Sequence, residues 1–132
     1  MSRVVLDTSA YSMLVRGHTG IRETVEIAET IYLSPVVLGE LHAGFAGGTR
    51  ARANQHALRR FLDLPGVEIA TMGEDTALCY AQIVGHLRKA GRPIPTNDIW
   101  IAAVAMELGA QLITTDAHFR SIPQIRVAFH DR

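Results

Sequence analysis

Short apolar segments alternate along the chain with longer segments in which apolar residues recur every three or four positions. The short runs predict buried strands and the periodic segments predict helices. The predicted strands are residues 3–6, 31–34, 66–70, 111–115 and 125–129. The predicted helices are residues 8–16, 21–30, 35–46, 50–64, 73–91 and 98–110. Because the two kinds of element alternate, the pattern predicts an α/β fold with parallel strands and helices on both faces of the sheet.

Local signals support several of these boundaries. Ser34 followed by Pro35 is a favoured start for the third helix, and Gly91 ends the fifth. The segment DIWIAAVAMELGA, residues 98–110, is apolar nearly all round and is therefore expected to be buried. The sequence shows no repeat, low-complexity tract or linker, so residues 1–132 are predicted to form one domain.

Composition narrows the class of protein. Hydrophobic residues make up 48% and charged residues 20% of the chain, as in ordinary globular domains. The sequence shows neither an apolar run near the ~18 residues that a membrane span needs nor a signal peptide. The single cysteine, Cys79, excludes an internal disulfide and fits a reducing cytoplasm. We therefore expect a cytoplasmic protein without a membrane segment.

Acidic residues follow two of the predicted strands directly. Asp7 comes after VVL, and Asp116 comes after LITT. Ligands of open parallel sheets bind beyond the carboxyl ends of the strands, so both acids are expected at one edge. Glu40, about two turns into the helix after the second strand, and Asp98, in the first turn of the buried helix, are expected to join them.

Each acid also has an ordinary structural explanation. Asp7 and Asp116 are suitable helix caps, and Asp98 suits the positive end of its helix, where Thr96 already offers a cap. Glu40 could be solvated. However, its neighbours in VVLGELHAGF are mostly apolar or small, and a buried carboxylate is costly unless it is paired or binds a metal.

Four carboxylates at one place favour a bound divalent cation. They would repel one another and raise some of their pKa values, and a cation removes that cost. Oxygen ligands without a cysteine or paired-histidine pattern indicate Mg²⁺ or Mn²⁺. Such an ion lowers the pKa of a bound water and stabilises a leaving oxygen, which suits phosphodiester hydrolysis. His118 lies near this site and is interpreted as a packing or hydrogen-bonding residue.

The charge distribution is compatible with RNA binding. The formal net charge is zero, with 13 acidic and 13 basic residues, so without the four site acids the remainder carries +4. Four arginines fall on one predicted helical stretch: Arg50, Arg52, Arg59 and Arg60. They either bind RNA phosphates or form a solvated helix face, and the sequence leaves both open.

Taken together, these segments resemble PIN-domain ribonucleases, in particular the VapC toxins of type II toxin–antitoxin pairs. The matching stretches are LDTSAY, SPVVLGELHAGF, IPTNDIWIAAVAMELGAQLITTDAHF and IRVAF, and the resemblance covers essentially the whole chain. It implies a PIN-like fold with a central parallel five-stranded sheet. It assigns the metal and catalytic site to Asp7, Glu40, Asp98 and Asp116, with Ser9 and Thr115 as supporting hydroxyl groups that hold carboxylates or water.

The resemblance also implies an activity and partners. It implies Mg²⁺-dependent endonucleolytic cleavage of RNA by metal-activated water, with Mn²⁺ as an alternative ion and no covalent intermediate. It further implies a small VapB-like antitoxin, with an arginine that reaches into the acidic cleft, and a homodimer. In the stretch YSMLVRG, Tyr11, Leu14 and Val15 are either core residues or part of such a partner surface.

Three other functions are considered. A metal-dependent phosphatase or receiver-like domain needs an acid two residues after the first aspartate, where this chain has Ser9, or a strand-end lysine, which it lacks. A degenerate PIN domain would bind RNA or protein without cutting, but all four acids are present. An RNA-maturation nuclease of the same fold without an antitoxin is poorly separated from a toxin by sequence.

Overall fold

A computed structural model of the protein describes residues 2–132. Met1, which the single-domain prediction includes, lies outside the described residues. The strands are β1 (Arg3–Leu6), β2 (Thr30–Leu33), β3 (Val67–Ile69), β4 (Gln111–Thr114) and β5 (Val127–Phe129). The α-helices are α1 (Thr8–Val15), α2 (Thr19–Ile27), α3 (Pro35–Ala46), α4 (Ala51–Leu62), α5 (Glu74–Ala90) and α6 (Thr96–Leu108). A 3₁₀ helix spans Ala117–Ser121.

The five strands form one sheet in the order β3-β2-β1-β4-β5, and every neighbouring pair is parallel. In the central strand, Val5 pairs with Tyr32 of β2 on one side and Leu112 of β4 on the other. Val4, Val5 and Leu6 are all buried. Because consecutive strand residues point to opposite faces, both faces of the sheet are covered. The predicted parallel five-stranded α/β fold is confirmed.

The helix that was expected to be buried contributes much of the core. Five consecutive residues of α6, Ile101 to Ala105, are at most 1% exposed. Three of these five are alanines, whose small side chains let the helix lie close to its neighbours. Burial on all sides fixes the orientation of α6, and with it the direction in which Asp98 in its first turn projects.

Several predicted boundaries differ from the structure by a few residues. Helix α2 begins earlier than predicted because the side chain of His18 accepts a hydrogen bond from the backbone of Ile21, and it ends at Ile27 before the strand begins at Thr30. The capping role considered for Thr96 is wrong, since Thr96 is already the first residue of α6 and Pro95 precedes it without a side-chain cap.

The sheet order places a crevice beside β1. The chain runs from β1 to β2 and β3 on one side of the sheet, and then returns to β4 and β5 on the other side. The topological switch point therefore lies between β1 and β4, where open parallel sheets bind ligands. The backbone N–H of Asp7 donates to the carbonyl oxygen of Ile113, at 3.3 Å, so the two strand ends stay together.

Among the helices of residues 2–132, none is both long and apolar enough to span a membrane.

Candidate active site and metal centre

The four predicted acids line one cavity of about 340 Å³ at the carboxyl edge of the sheet: Asp7, Glu40, Asp98 and Asp116. Each comes from a different element or its end: the end of β1, α3, α6, and the end of β4. Two arginines, Arg16 and Arg132, line the same cavity. The structure therefore brings together acids that are up to 109 positions apart in the sequence.

Three hydrogen bonds hold the carboxylate of Asp7 in place. Its Oδ1 atom accepts from the backbone N–H of Ala10, at 2.8 Å, and from the hydroxyl of Ser9, at 2.7 Å. Its Oδ2 atom accepts from the hydroxyl of Thr114. Asp7 also gives its own backbone N–H to β4. Burial raises the pKa of Asp7, and these bonds to the carboxylate oppose that rise. The side chain therefore caps α1, as one interpretation of the sequence held, and still lines the cavity.

The threonine that supports Asp7 is Thr114, which the sequence reasoning missed. Thr114 is fully buried; besides donating to Asp7, its hydroxyl accepts from the backbone N–H of Asp116, at 2.9 Å. The hydroxyl of Thr115, which was expected to hold a carboxylate or water, is buried and has no hydrogen-bond partner among the described residues. Successive strand residues point to opposite faces, so only one of two adjacent threonines can face Asp7.

Ser9 lies as expected beside the first acid. Its hydroxyl donates to Asp7 and accepts from the backbone N–H of Thr115, at 3.0 Å. It therefore links the start of α1 to the end of β4.

Glu40 is half-buried and has two hydrogen-bond donors. The hydroxyl of Thr8 donates to Oε1, and the side-chain amide of Asn97 donates to Oε2, at 3.3 Å. The helix that carries Glu40 starts as predicted, with Pro35 in its first turn and the Ser34 hydroxyl accepting from Val37. These contacts connect α3 to the first turns of α1 and α6, so Glu40 is neither an isolated buried charge nor fully solvated.

Asp98 and Asp116 meet at the imidazole of His118. The Nδ1 atom of His118 lies 3.0 Å from Asp98 Oδ2 and 3.2 Å from Asp116 Oδ1. Asp116 also accepts the backbone N–H of His118, at 2.9 Å, and so caps the 3₁₀ helix. His118 is thus a hydrogen-bonding residue, as expected, but its position between two of the four acids was not predicted.

The ligand atoms suit a divalent cation. Asp98, Asp116 and His118 each offer one oxygen or nitrogen atom, and these atoms lie within 4.8 Å of one another. Burial raises the pKa of Asp98; the hydrogen bond from His118 opposes that rise, and the nearby charges of Asp116 and Glu40 add to it. A cation at this place would relieve that repulsion. Mg²⁺ and Mn²⁺ both fit carboxylate oxygens, and the imidazole nitrogen is a ligand that transition metals accept more readily than Mg²⁺ does.

The predicted arginine cluster lies outside the cavity. Arg50 is the residue before α4, and the other three lie on that helix, all with exposed side chains. Arg59 forms an exposed ion pair with Asp63, at 3.0 Å. None of the four lines the acidic cavity.

Comparison with known proteins identifies the fold family. Residues 4–125 match the PIN domain family. The chain is 28% identical over 118 residues to Ribonuclease VapC5 of Mycobacterium tuberculosis, covering 89% of this chain and 86% of the relative. It is 30% identical over 95 residues to Ribonuclease VapC4 of the same organism, covering 72% of this chain and 73% of the relative.

Solved structures agree with this family assignment. The structure of VapBC2 from Rickettsia felis bound to a DNA fragment from its promoter contains a chain with 26% identity and a TM-score of 0.85, covering 96% of this chain and 97% of that chain. A chain in the structure of VapBC-1 from nontypeable Haemophilus influenzae has 27% identity, a TM-score of 0.85 and the same coverage of both chains. The protein belongs to the PIN domain family and, within it, to the VapC group.

Proposed function

We propose that this protein is a Mg²⁺-dependent endoribonuclease that acts as the toxin of a toxin–antitoxin pair. The observation that carries the proposal is the convergence of Asp7, Glu40, Asp98 and Asp116 on one cavity at the switch point of a parallel sheet. The names of its relatives, ribonucleases VapC4 and VapC5, support the choice of RNA as the substrate.

In this proposal Asp7, Glu40, Asp98 and Asp116 would hold the ion, and the imidazole of His118 would orient Asp98 and Asp116. A bound divalent ion supplies an activated water and stabilises charge on the leaving oxygen. The protein keeps its acids in place through neutral donors: Thr114 and Ser9 for Asp7, and Thr8 and Asn97 for Glu40. These donors orient the carboxylates without cancelling their charge.

The proton of the attacking water needs an acceptor. The four cavity carboxylates are the candidates, and the one that lies beside the water would accept the proton. The reaction is direct hydrolysis, so no side chain forms a covalent intermediate.

The partners follow from the same family. The related structures are VapBC complexes, and we propose that this chain also pairs with a small VapB-like antitoxin, forms a homodimer and acts in the cytoplasm. An antitoxin arginine that enters the acidic cavity would neutralise part of its charge and block RNA. Coexpression with a VapB-like antitoxin should give a complex that elutes together in gel filtration and does not cleave RNA. Elution as a free monomer in the presence of that partner would contradict this part of the proposal.

The nuclease activity is tested with a pool of structured RNAs and the purified chain freed of any partner. We expect cleavage with Mg²⁺ or Mn²⁺ and none with EDTA. Cleavage that persists in EDTA would contradict a metal-dependent reaction. Hydrolysis of a small phosphate ester with the RNA left intact would instead favour a phosphatase.

A further inference from the structure

The acidic cavity also contains two cations that the metal site does not use. Arg16 and Arg132 line the cavity together with the four acids, which gives these six side chains a formal charge of −2. Among residues 2–132, neither arginine takes part in an ion pair with a carboxylate. Both side chains are exposed and available to a ligand.

Arg16 is placed by the face of α1 that borders the cavity. Ser9, Ser12, Met13 and Arg16 follow the helical spacing of three to four residues per turn and line the cavity along one helix face. The backbone N–H of Arg16 donates to the carbonyl of Ser12, at 3.2 Å, so the helical path continues to this residue. At a rise of about 1.5 Å per residue, Arg16 lies roughly 10 Å along the axis from Ser9. The face of α1 that borders the cavity therefore extends from the acidic site to Arg16.

Arg16 also borders a second groove of about 160 Å³, to which Phe45 of α3 and Asn54 of α4 contribute. Helix α4 carries the exposed arginine cluster. Arg16 thus stands between the acidic cavity and the basic helix, where an RNA strand that leaves the cavity toward α4 would pass.

Two hydrogen bonds position the residues that precede Arg132. The backbone N–H of His130 donates to the carbonyl of Thr114, at 2.9 Å, which keeps the chain beside β4 after β5 ends. His18 accepts the N–H of Ile21 at Nδ1, so its other ring nitrogen carries the proton and donates to the carbonyl of Asp131. The next residue, Arg132, then reaches the cavity.

We infer that Arg16 and Arg132 form a phosphate clamp that binds the RNA backbone beside the bond that is cut, and that His18 is a positioning residue for Arg132. The inference rests on the proposed function, because it assigns a contact to the same RNA substrate. Four carboxylates repel a polyanion such as RNA, and the guanidinium groups of the two arginines that line the same cavity would attract its phosphates.

The test measures binding of a short fluorescein-labelled single-stranded RNA by anisotropy, in EDTA, over a series of KCl concentrations. Each phosphate contact with single-stranded nucleic acid contributes about 0.7 to the slope of log affinity against log salt. Arg16→Ala and Arg132→Ala are each expected to reduce the slope by about 0.7, and the double variant by about 1.4. Arg16→Lys keeps the charge and should keep the slope. Arg22→Ala, an exposed arginine of α2 outside the cavity, is the matched control.

His18→Asn tests the positioning role. Asparagine is a favoured N-cap, so α2 keeps its cap while the hydrogen bond to Asp131 is lost. His18→Asn should therefore reduce the salt slope by part of the amount that Arg132 contributes. Arg132→Ala should then reduce the slope by less in the His18→Asn background than in the wild-type protein. A full additional change of about 0.7 would show that His18 does not position Arg132.

The outcomes separate this inference from the proposed function. Wild-type slopes in Arg16→Ala and Arg132→Ala, in a protein that still cleaves RNA with Mg²⁺, would overturn the clamp and leave the nuclease intact. Reduced slopes in the two variants, together with a wild-type protein that does not cleave RNA with Mg²⁺, would support the clamp and contradict the nuclease. Unchanged RNA slopes together with weakened antitoxin binding would overturn the clamp in favour of a protein contact.

Discussion

Thr114 donates its hydroxyl to the buried carboxylate of Asp7, and so joins the ends of two neighbouring strands at the site. The same oxygen accepts the backbone N–H of Asp116. One buried hydroxyl therefore links the first and the last acids of the site, which are 109 residues apart.

Replacing Thr114 by valine keeps the shape of the side chain and removes both hydrogen bonds. Loss of a partner to a buried polar group costs about 1–3 kcal/mol, so the free energy of unfolding should fall by that amount. Cleavage should weaken as well, since Asp7 and Asp116 lose a shared support. Urea unfolding and RNA cleavage rates measure the two effects.

Thr115→Val is the matched control for that change. The Thr115 hydroxyl is buried without a partner among the described residues, so its removal should be nearly neutral or slightly stabilising. Equal losses for the two adjacent variants would contradict the assignment of the supporting hydroxyl to Thr114.

The pH dependence of stability should depend on Asp7. Its pKa is raised by burial in the folded protein, so the folded state holds the proton more tightly than the unfolded state. In EDTA, this group contributes most stability at pH values below its ordinary pKa, and the contribution is lost as pH rises through the raised pKa. Asp7→Asn cannot ionise and keeps a favoured cap, so it should remove this part of the pH dependence. Thermal unfolding of both proteins from about pH 3 to about pH 8, in about half-unit steps, measures the difference. If the difference in thermal stability between the wild-type protein and Asp7→Asn does not change with pH, the raised pKa of Asp7 is contradicted.

His118 should contribute to metal affinity because its imidazole contacts both Asp98 and Asp116. Replacing a residue that orients metal ligands typically weakens metal affinity by roughly 10- to 100-fold. His118→Ala should therefore weaken Mn²⁺ binding within that range. Isothermal titration calorimetry gives the affinity. His56→Ala, an exposed histidine on α4, should bind Mn²⁺ like the wild-type protein. An unchanged affinity in His118→Ala would remove the imidazole from the metal centre.

Charge reversal on α4 tests the exposed arginine cluster. Changing Arg52 and Arg60 to glutamate should weaken RNA binding more at low than at high salt, because exposed charges are screened. Both side chains are exposed and neither forms an ion pair within the described part of the chain. The double variant Arg22→Glu/Arg3→Glu changes the charge equally elsewhere on the surface. RNA binding that responds equally to both double variants would show that α4 is a solvated face.

The sequence predicted the fold well because the apolar pattern is strong in the strands and in α6. It also predicted that the four acids meet at one place: Asp7 and Asp116 follow parallel strands, which end at one edge of the sheet, and Glu40 and Asp98 lie on helices α3 and α6 beside that edge. The sequence could not show whether Thr114 or Thr115 supports Asp7, because the two hydroxyls differ only in the face to which they point. The contacts of His118 and the approach of Arg132 depend on loops after β4 and β5, where no periodicity indicates direction.

The most direct test of the central claim compares Asp98→Asn with the wild-type protein in two assays. Asparagine keeps the shape and can still accept from His118, so circular dichroism should show an unchanged fold. The variant should show no cleavage of the RNA pool and no Mg²⁺-dependent rise in melting temperature, whereas the wild-type protein should show both. An Asp98→Asn protein that binds metal and cuts RNA at the wild-type rate would contradict a carboxylate metal centre at this cavity.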